Sequence, residues 1–457
     1  MKRKFLKVLL FPLCFIVLLI IFNILMTISC SFPSKLIEKH VRESSKIMYD
    51  QGNYNFLSLR LNASRDNYTD AIMVNYAYSI DNKNILYSYM SGRKNYDKKY
   101  TKTEIKDTPL EGITYAKYSR ERYDTTAELV DFLNGDVYIS SNYARYWQGY
   151  LVFLRPLLLL FNVSQIRLIN CLIVLICLFI IGVLCFKKYS KLLAFVLPLG
   201  LICSGIISAS LGLGTAPIFI VGLLSTILLL LFENKIKNIP LYYFIIGCIS
   251  NFVDFLSVPM VAWAIPTLVY VFICFHNNPD KKLSLWYWIK IYLKTIIPFI
   301  IGYALTWISK WLIYDSLFHE NIIHNAIEQV RYRSQINDNT TAQNFKEIIF
   351  WMNEDMFKHL GYSIPVLAVI LFVFSRFSII TLRKNYTIIP FMLISIIPYI
   401  WYKALSNHTL VHFFFVYRHL GITITAILCA LIAPFNVTLK EHTKKYSIKK
   451  LFEFLKS

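Results

Sequence analysis

Cysteine is absent from residues 31–146, the one long polar segment of this chain. A disulfide framework is therefore excluded there, even on an oxidising side of a membrane. Of the nine cysteines, Cys14, Cys171, Cys177, Cys185, Cys203, Cys248, Cys274 and Cys429 fall inside apolar stretches, and Cys30 sits at the edge of one. A Gly-rich phosphate loop, a zinc-ligand spacing and an RNA-binding signature are also missing. Charge is scarce, at 16% of residues. Together with 56% hydrophobic residues and a mean hydropathy of +0.49, this excludes a soluble protein, which could not hide so much apolar surface at 457 residues. The formal charge of +21 does not point to nucleic acid, because the cations flank apolar stretches where anionic lipid lies.

What the chain does have is about ten apolar stretches of membrane-crossing length. The first covers residues 5–30 after Lys2, Arg3 and Lys4. It is longer than a signal-peptide core, and Thr27-Ile28-Ser29-Cys30 is a poor lipobox, so it reads as an uncleaved first helix with a cytoplasmic N-terminus. Further spans are expected at residues 168–186, 192–211, 216–232, 240–258, 260–275, 288–314, 361–379, 386–404 and 412–434. Lys and Arg gather in every second gap: Lys187, Lys188 and Lys191; Lys235 and Lys237; Lys281, Lys282, Lys290 and Lys294; Arg376, Arg383 and Lys384. The positive-inside rule then gives an all-α, multi-pass protein of the cell membrane with both termini cytoplasmic.

Four parts follow: a first transmembrane helix (1–30), an extracytoplasmic loop with juxtamembrane helices (31–167), a helix bundle with an outer loop at 315–360 (168–434), and a basic cytoplasmic tail (435–457) with Lys440, Lys444, Lys445, Lys449, Lys450 and Lys456. Within the large loop, residues 33–49 alternate Leu36, Ile37, Val41 and Met48 with charges and predict an amphipathic helix able to lie flat on the bilayer. Residues 83–121 read as loop. Residues 126–133 read as a short helix capped by Thr125 or Thr126. Residues 147–161, interrupted by Arg155-Pro156, predict a re-entrant or interfacial helix. No internal repeat is visible, which disfavours a transporter built from duplicated halves.

Polar residues that could do chemistry collect in the gaps assigned to the outer side. Arg65-Asp66-Asn67-Tyr68-Thr69-Asp70 places two carboxylates four residues apart, on one face of a helix. Such a carboxylate could deprotonate an acceptor hydroxyl or bind a divalent cation, although capping alone would account for Asp66. Arg145, Trp147, Tyr150 and Arg155 follow in an aromatic, apolar stretch. An arginine there needs an anion, and a lipid phosphate suits its fork of donors. Asp254 lies near the outer end of the fifth span, as a site residue or a partner for a base. His408 and His412 precede Tyr417 and Arg418 at the start of the last span. Two histidines without a third ligand do not make a metal site. Arg418 needs an anionic partner: Asp254, Asp70 or a bound phosphate. Arg331-Tyr332-Arg333 reads as a solvated cluster.

These features resemble the GT-C class of membrane glycosyltransferases, through the amphipathic stretch at 33–49, Asp66 and Asp70 in the first outer loop, and the outer arginines. The chain is also similar to uncharacterised polytopic envelope proteins of Gram-positive bacteria. Asp66-Asn67-Tyr68-Thr69-Asp70 is not the DxD or ExD of that class, so the resemblance does not carry metal dependence over. It implies transfer of a sugar from a polyprenyl-phosphate donor to a cell-envelope glycan or polymer at the outer leaflet. Asp70, or else Asp66, would be the base, and Arg155, Arg418 and Arg145 would hold the donor phosphate. Asp254, His408, His412, Tyr417, Trp147 and Tyr150 would line the substrate. The rivals are a transporter or flippase for a lipid-linked glycan, and a non-catalytic envelope assembly factor. Spans 192–211 and 216–232 hold no ionisable residue, which argues against a polar path through the membrane.

Overall fold

A computed structural model describes residues 2–56, 64–97, 124–135, 138–336 and 339–439. The tail from residue 440 and residues 98–121 of the expected loop lie outside the described residues. The fold is all-α, with 76% of the chain helical, and the described strands form only three short antiparallel pairs.

Helix α1 (Lys2–Ser31) carries the first apolar span, and Pro12 lies within it. After a single 3-10 turn (Ser34–Ile37) comes α2 (Glu38–Gln51). A hairpin of β1 (Tyr54–Phe56) and β2 (Ser64–Asp66) sets Tyr54 opposite Asp66. Then α3 (Asn67–Tyr78), α4 (Ile85–Ser91), β3 (Lys94–Asp97), α5 (Thr125–Asn134) and β4 (Tyr138–Ser141) complete a small polar domain, with β3 paired to β4. Helix α2 was expected to lie on lipid. Instead its inner face, with Val41 and Met48 fully buried, packs against α3 and α5. Protein rather than bilayer takes up its apolar stripe. The cap of α5 is Asp124, whose side chain accepts from the Thr126 and Ala127 amides, rather than Thr125 or Thr126.

Residues 147–161 form a short helix, α6 (Leu151–Leu158), packed along α1. Next is α7 (Val163–Lys188), whose start is fixed by a reciprocal Asn162–Gln165 capping box and whose end carries Lys187 and Lys188. The bundle continues through α8 (Leu193–Cys203), α9 (Ile206–Ser210), α10 (Ala216–Phe232), α11 (Ile239–Val253), α12 (Met260–Asn277) and α13 (Leu285–Phe318). In place of a plain outer loop at 315–360 stand α14 (Ile322–Ser334) and the start of α15 (Asn339–Phe377). Strand β5 (Ser378–Leu382), α16 (Ile389–Ser395), α17 (Ile397–Ala404), α18 (Ser406–Val411), α19 (Phe413–Val416), a 3-10 turn, α20 (Leu420–Ile432) and β6 (Phe435–Leu439) end the described chain.

Among the described residues, six helical segments are long and apolar enough to cross a bilayer: Leu9–Ser31, Val163–Lys188, Met260–Asn277, Leu285–Phe318, Ala342–Phe377 and Phe413–Ile432. This is a multi-pass membrane protein. Four more of the expected spans coincide with shorter apolar helices, Leu193–Cys203, Ala216–Phe232, Ile239–Val253 and Ile389–Ala404. Helices α11 and α13 touch backbone to backbone: a Cβ on Gly247 would strike the Phe299 carbonyl, and one on Gly302 the Phe244 carbonyl. Small residues at such a crossing let membrane helices approach closely.

Candidate functional site

The two acids that the sequence placed side by side have different surroundings. Asp70, in the first turn of α3, is fully buried. One of its oxygens takes two donors from Arg167 on α7, Nη2 at 2.6 Å and Nε at 3.2 Å. The other accepts the Leu213 and Gly214 amides at 2.9 and 3.4 Å. Arg167 also donates to Asn67 and Gln51. Both Asp70 oxygens are doubly occupied, and four of the five Arg167 N–H donors are used. The ion pair ties the polar domain to the first helix of the bundle, and hydrogen bonds satisfy both charges, as burial requires.

Asp66 is half-buried and caps α3. Its Oδ1 accepts the Thr69 amide at 3.0 Å and its Oδ2 the Thr69 hydroxyl at 2.6 Å. Burial raises its carboxyl to about 6; the Thr69 bonds pull it down, Asp70 pushes it up, and the Arg418 charge pulls it down. An acid near this value changes ionisation close to neutrality, as a general base must. Arg418 is 4% exposed, and its Nε is buried with no hydrogen-bond partner among the described residues. Its guanidinium packs over the ring of Tyr417, 4.9 Å from the centroid. Among the described residues no anion is hydrogen-bonded to Arg418; its charge makes only the smallest of the contributions that lower the Asp66 carboxyl. Tyr54 joins polar domain and bundle, stacking on Tyr68 at 6.1 Å and meeting Phe414 edge-on at 5.2 Å. Asp66 and Glu128 together push the Tyr68 phenol, after burial, up to about 12.

Around these residues lies a second polar layer. Arg333 on α14 is half-buried and hydrogen-bonded to His408 Nδ1 at 2.6 Å, whereas Arg331 and Tyr332 of the expected solvated cluster are exposed. The other His408 nitrogen lies 3.1 Å from the Leu256 carbonyl. The His412 ring lies 4.6 Å from the His408 ring and stacks on Phe415 at 5.2 Å. Asp254 ends α11, accepting from Ser257 and, at 3.1 Å, from the Tyr303 hydroxyl; no cation pairs with it among the described residues. Arg145 donates to Asn325 at 2.6 Å and covers the Tyr143 ring at 4.3 Å, leaving Nε buried without a partner. Tyr150 has a buried hydroxyl without a partner, whereas the Trp147 indole donates to the Thr306 carbonyl at 2.7 Å.

Arg155 stands apart from this layer. Fully buried on α6, it donates to the carbonyls of Ser29 and Phe32 at 3.0 and 2.7 Å, to the Ala77 carbonyl and to the Ser34 hydroxyl. Three carbonyls and a hydroxyl, where α1 exits and α3 ends, occupy four of its five N–H donors, so it braces that corner. Among the described residues no group of three or more His, Cys, Asp or Glu side chains gathers as a metal site.

Sequence reading missed three participants. Arg167, at the end of the segment assigned to the outer loop, has no local sequence pattern that links it to Asp70. Glu128, buried on α5, forms an ion pair with Lys94 at 2.6 Å, while its second oxygen has no partner. Glu128 and Lys94 are 34 positions apart in the chain, and no local pattern links them. Compared with known proteins, the chain matches no family model, no curated protein and no solved structure.

Proposed function

We propose that this protein is an integral membrane glycosyltransferase that moves a sugar from a polyprenyl-phosphate donor to a cell-envelope acceptor at the outer leaflet. In this reading ten spans cross the cell membrane, both termini are cytoplasmic, and residues 147–161 enter the membrane only partway. The observation that carries the reading is Asp66, a half-buried carboxylate of raised pKa that feels the charge of Arg418, itself buried without a hydrogen-bonded counter-ion among the described residues. Arg418, helped by Arg145, holds the donor phosphate and stabilises negative charge on it as the glycosidic bond breaks. Asp66 takes the proton from the acceptor hydroxyl, whose oxygen attacks the anomeric carbon; the phosphate leaves, and the configuration inverts. The sealed Asp70–Arg167 pair supports assigning the base to Asp66 rather than Asp70. Tyr54, Tyr68 and Phe414 supply the aromatic faces on which a sugar ring packs, and His412, Asp254 and Tyr150 stand in the surrounding layer.

The test is reconstitution of the purified chain in liposomes with a radiolabelled polyprenyl-phosphate sugar and envelope glycan fragments. Label should move to the acceptor with the wild type and fail to move with Asp66→Asn. Translocation of the label without transfer would replace this reading with a flippase, and neither activity would leave an assembly factor.

A further inference from the structure

The polar domain contains a groove of about 990 Å³, separate from the Asp66 site and unused by the proposed reaction. Its rim holds Lys35, Arg42, Lys83 and Arg93 against one acid, Asp81. Arg42 is held by Glu38 at 2.8 Å, and the Asp81 carboxylate already accepts the Lys83 amide at 2.9 Å. Lys35 and Lys83 are exposed, and Arg93 uses only its Nε, on the Ser140 hydroxyl. Three cations thus face the groove with ammonium or guanidinium donors to spare. Phe132 and Leu133 give the groove's otherwise largely polar lining an apolar part.

The depth of the groove is fixed by α1. The apolar span ends at Ser31, and Pro33 already lines the groove, two residues and at most about 7 Å of chain beyond it. That distance lies within the headgroup layer of a bilayer, about 5–8 Å thick on each side. A cationic rim, an apolar part of the lining and that depth together specify a ligand that brings a phosphate at headgroup level and apolar matter beside it. We infer that this groove binds the phosphate-bearing headgroup of an anionic lipid. The inference stands whether or not the protein transfers sugars.

The full-length protein in phosphatidylcholine nanodiscs, titrated with phosphatidylglycerol and read by native mass spectrometry, tests it. Phosphatidylglycerol should be retained in preference to phosphatidylcholine. Lys35→Gln/Lys83→Gln/Arg93→Gln should weaken retention about 100-fold, at about fivefold per cation near a membrane surface, while Lys281→Gln/Lys282→Gln on another part of the chain should not. Should the triple variant fold poorly, Lys83→Gln alone, at an exposed position, should still lose about fivefold. Displacement of the lipid by millimolar glycerol 3-phosphate would support recognition of the phosphate itself, and retention unaffected by it would support recognition of the headgroup within its membrane. Equal retention of phosphatidylcholine, or a triple variant indistinguishable from the Lys281/Lys282 control, would overturn the inference.

Discussion

Asp70 and Asp66 stand in the first turn and at the cap of one helix, yet Asp70 is ion-paired with Arg167 whereas Asp66 only feels the charge of Arg418. In the first, six hydrogen bonds and full burial occupy both carboxylate oxygens and four of the five guanidinium donors, and the pair acts as a rivet between the polar domain and α7. In the second, the acid is half-exposed, the guanidinium has an unpartnered Nε, and no direct bond joins them. Burial of charge alone therefore does not mark a functional site. An acid whose oxygens are all occupied by an ion pair and amides is structural, and one left unpaired has chemistry to offer.

The comparison can be broken by experiment. The largest expected effect is on transfer: Asp66→Asn should cost about 10²–10⁴-fold in rate, the usual worth of a positioned base, measured in the liposome assay. The same variant should unfold at an equal or higher temperature at pH 7. Asn still caps the helix, and an acid raised above its ordinary value weakens the fold once it ionises. Arg418→Met should lower transfer about 10²–10³-fold, as loss of one stabilising donor does, without the unfolding cost of the sealed pair. Asp70→Asn should do the opposite, costing about 3–5 kcal/mol of stability by leaving Arg167 buried and unpaired; thermal unfolding in detergent checks this. Adding Arg167→Met to it should recover part of that loss, since residues in one network do not add. Transfer by the wild type should fall about tenfold per pH unit below about 6 and level off above it, because the base must be ionised; a flat profile would remove Asp66 from the role. The smallest effect is at Asp124→Ala, about 1 kcal/mol from loss of the α5 cap.

Much of the architecture was legible in sequence, because a bilayer imposes length and apolarity on each crossing segment. The apolar stretches coincide with helices throughout, and the capping role of Asp66 was among the readings of its motif. The site was less legible. Two carboxylates at a spacing of four look equivalent in sequence, and only Arg167 on α7 and the amides of Leu213 and Gly214 separate them. Arg155 looked like a phosphate ligand by the same logic that places any buried arginine near an anion. Four backbone and side-chain oxygens, where α1 exits and α3 ends, hold it instead.

The sequence by itself determined that this chain lives in a membrane, which segments are apolar enough to enter it, and which ionisable residues are left in the gaps. Those properties follow from the cost of unsatisfied polar groups in hydrocarbon, a cost paid segment by segment. Tertiary structure alone decided which charges meet. Asp66 feels the charge of Arg418 across 352 positions of chain, and Asp70 is closed by Arg167 across 97. Electrostatic pairing depends on distance in space, which no local periodicity records.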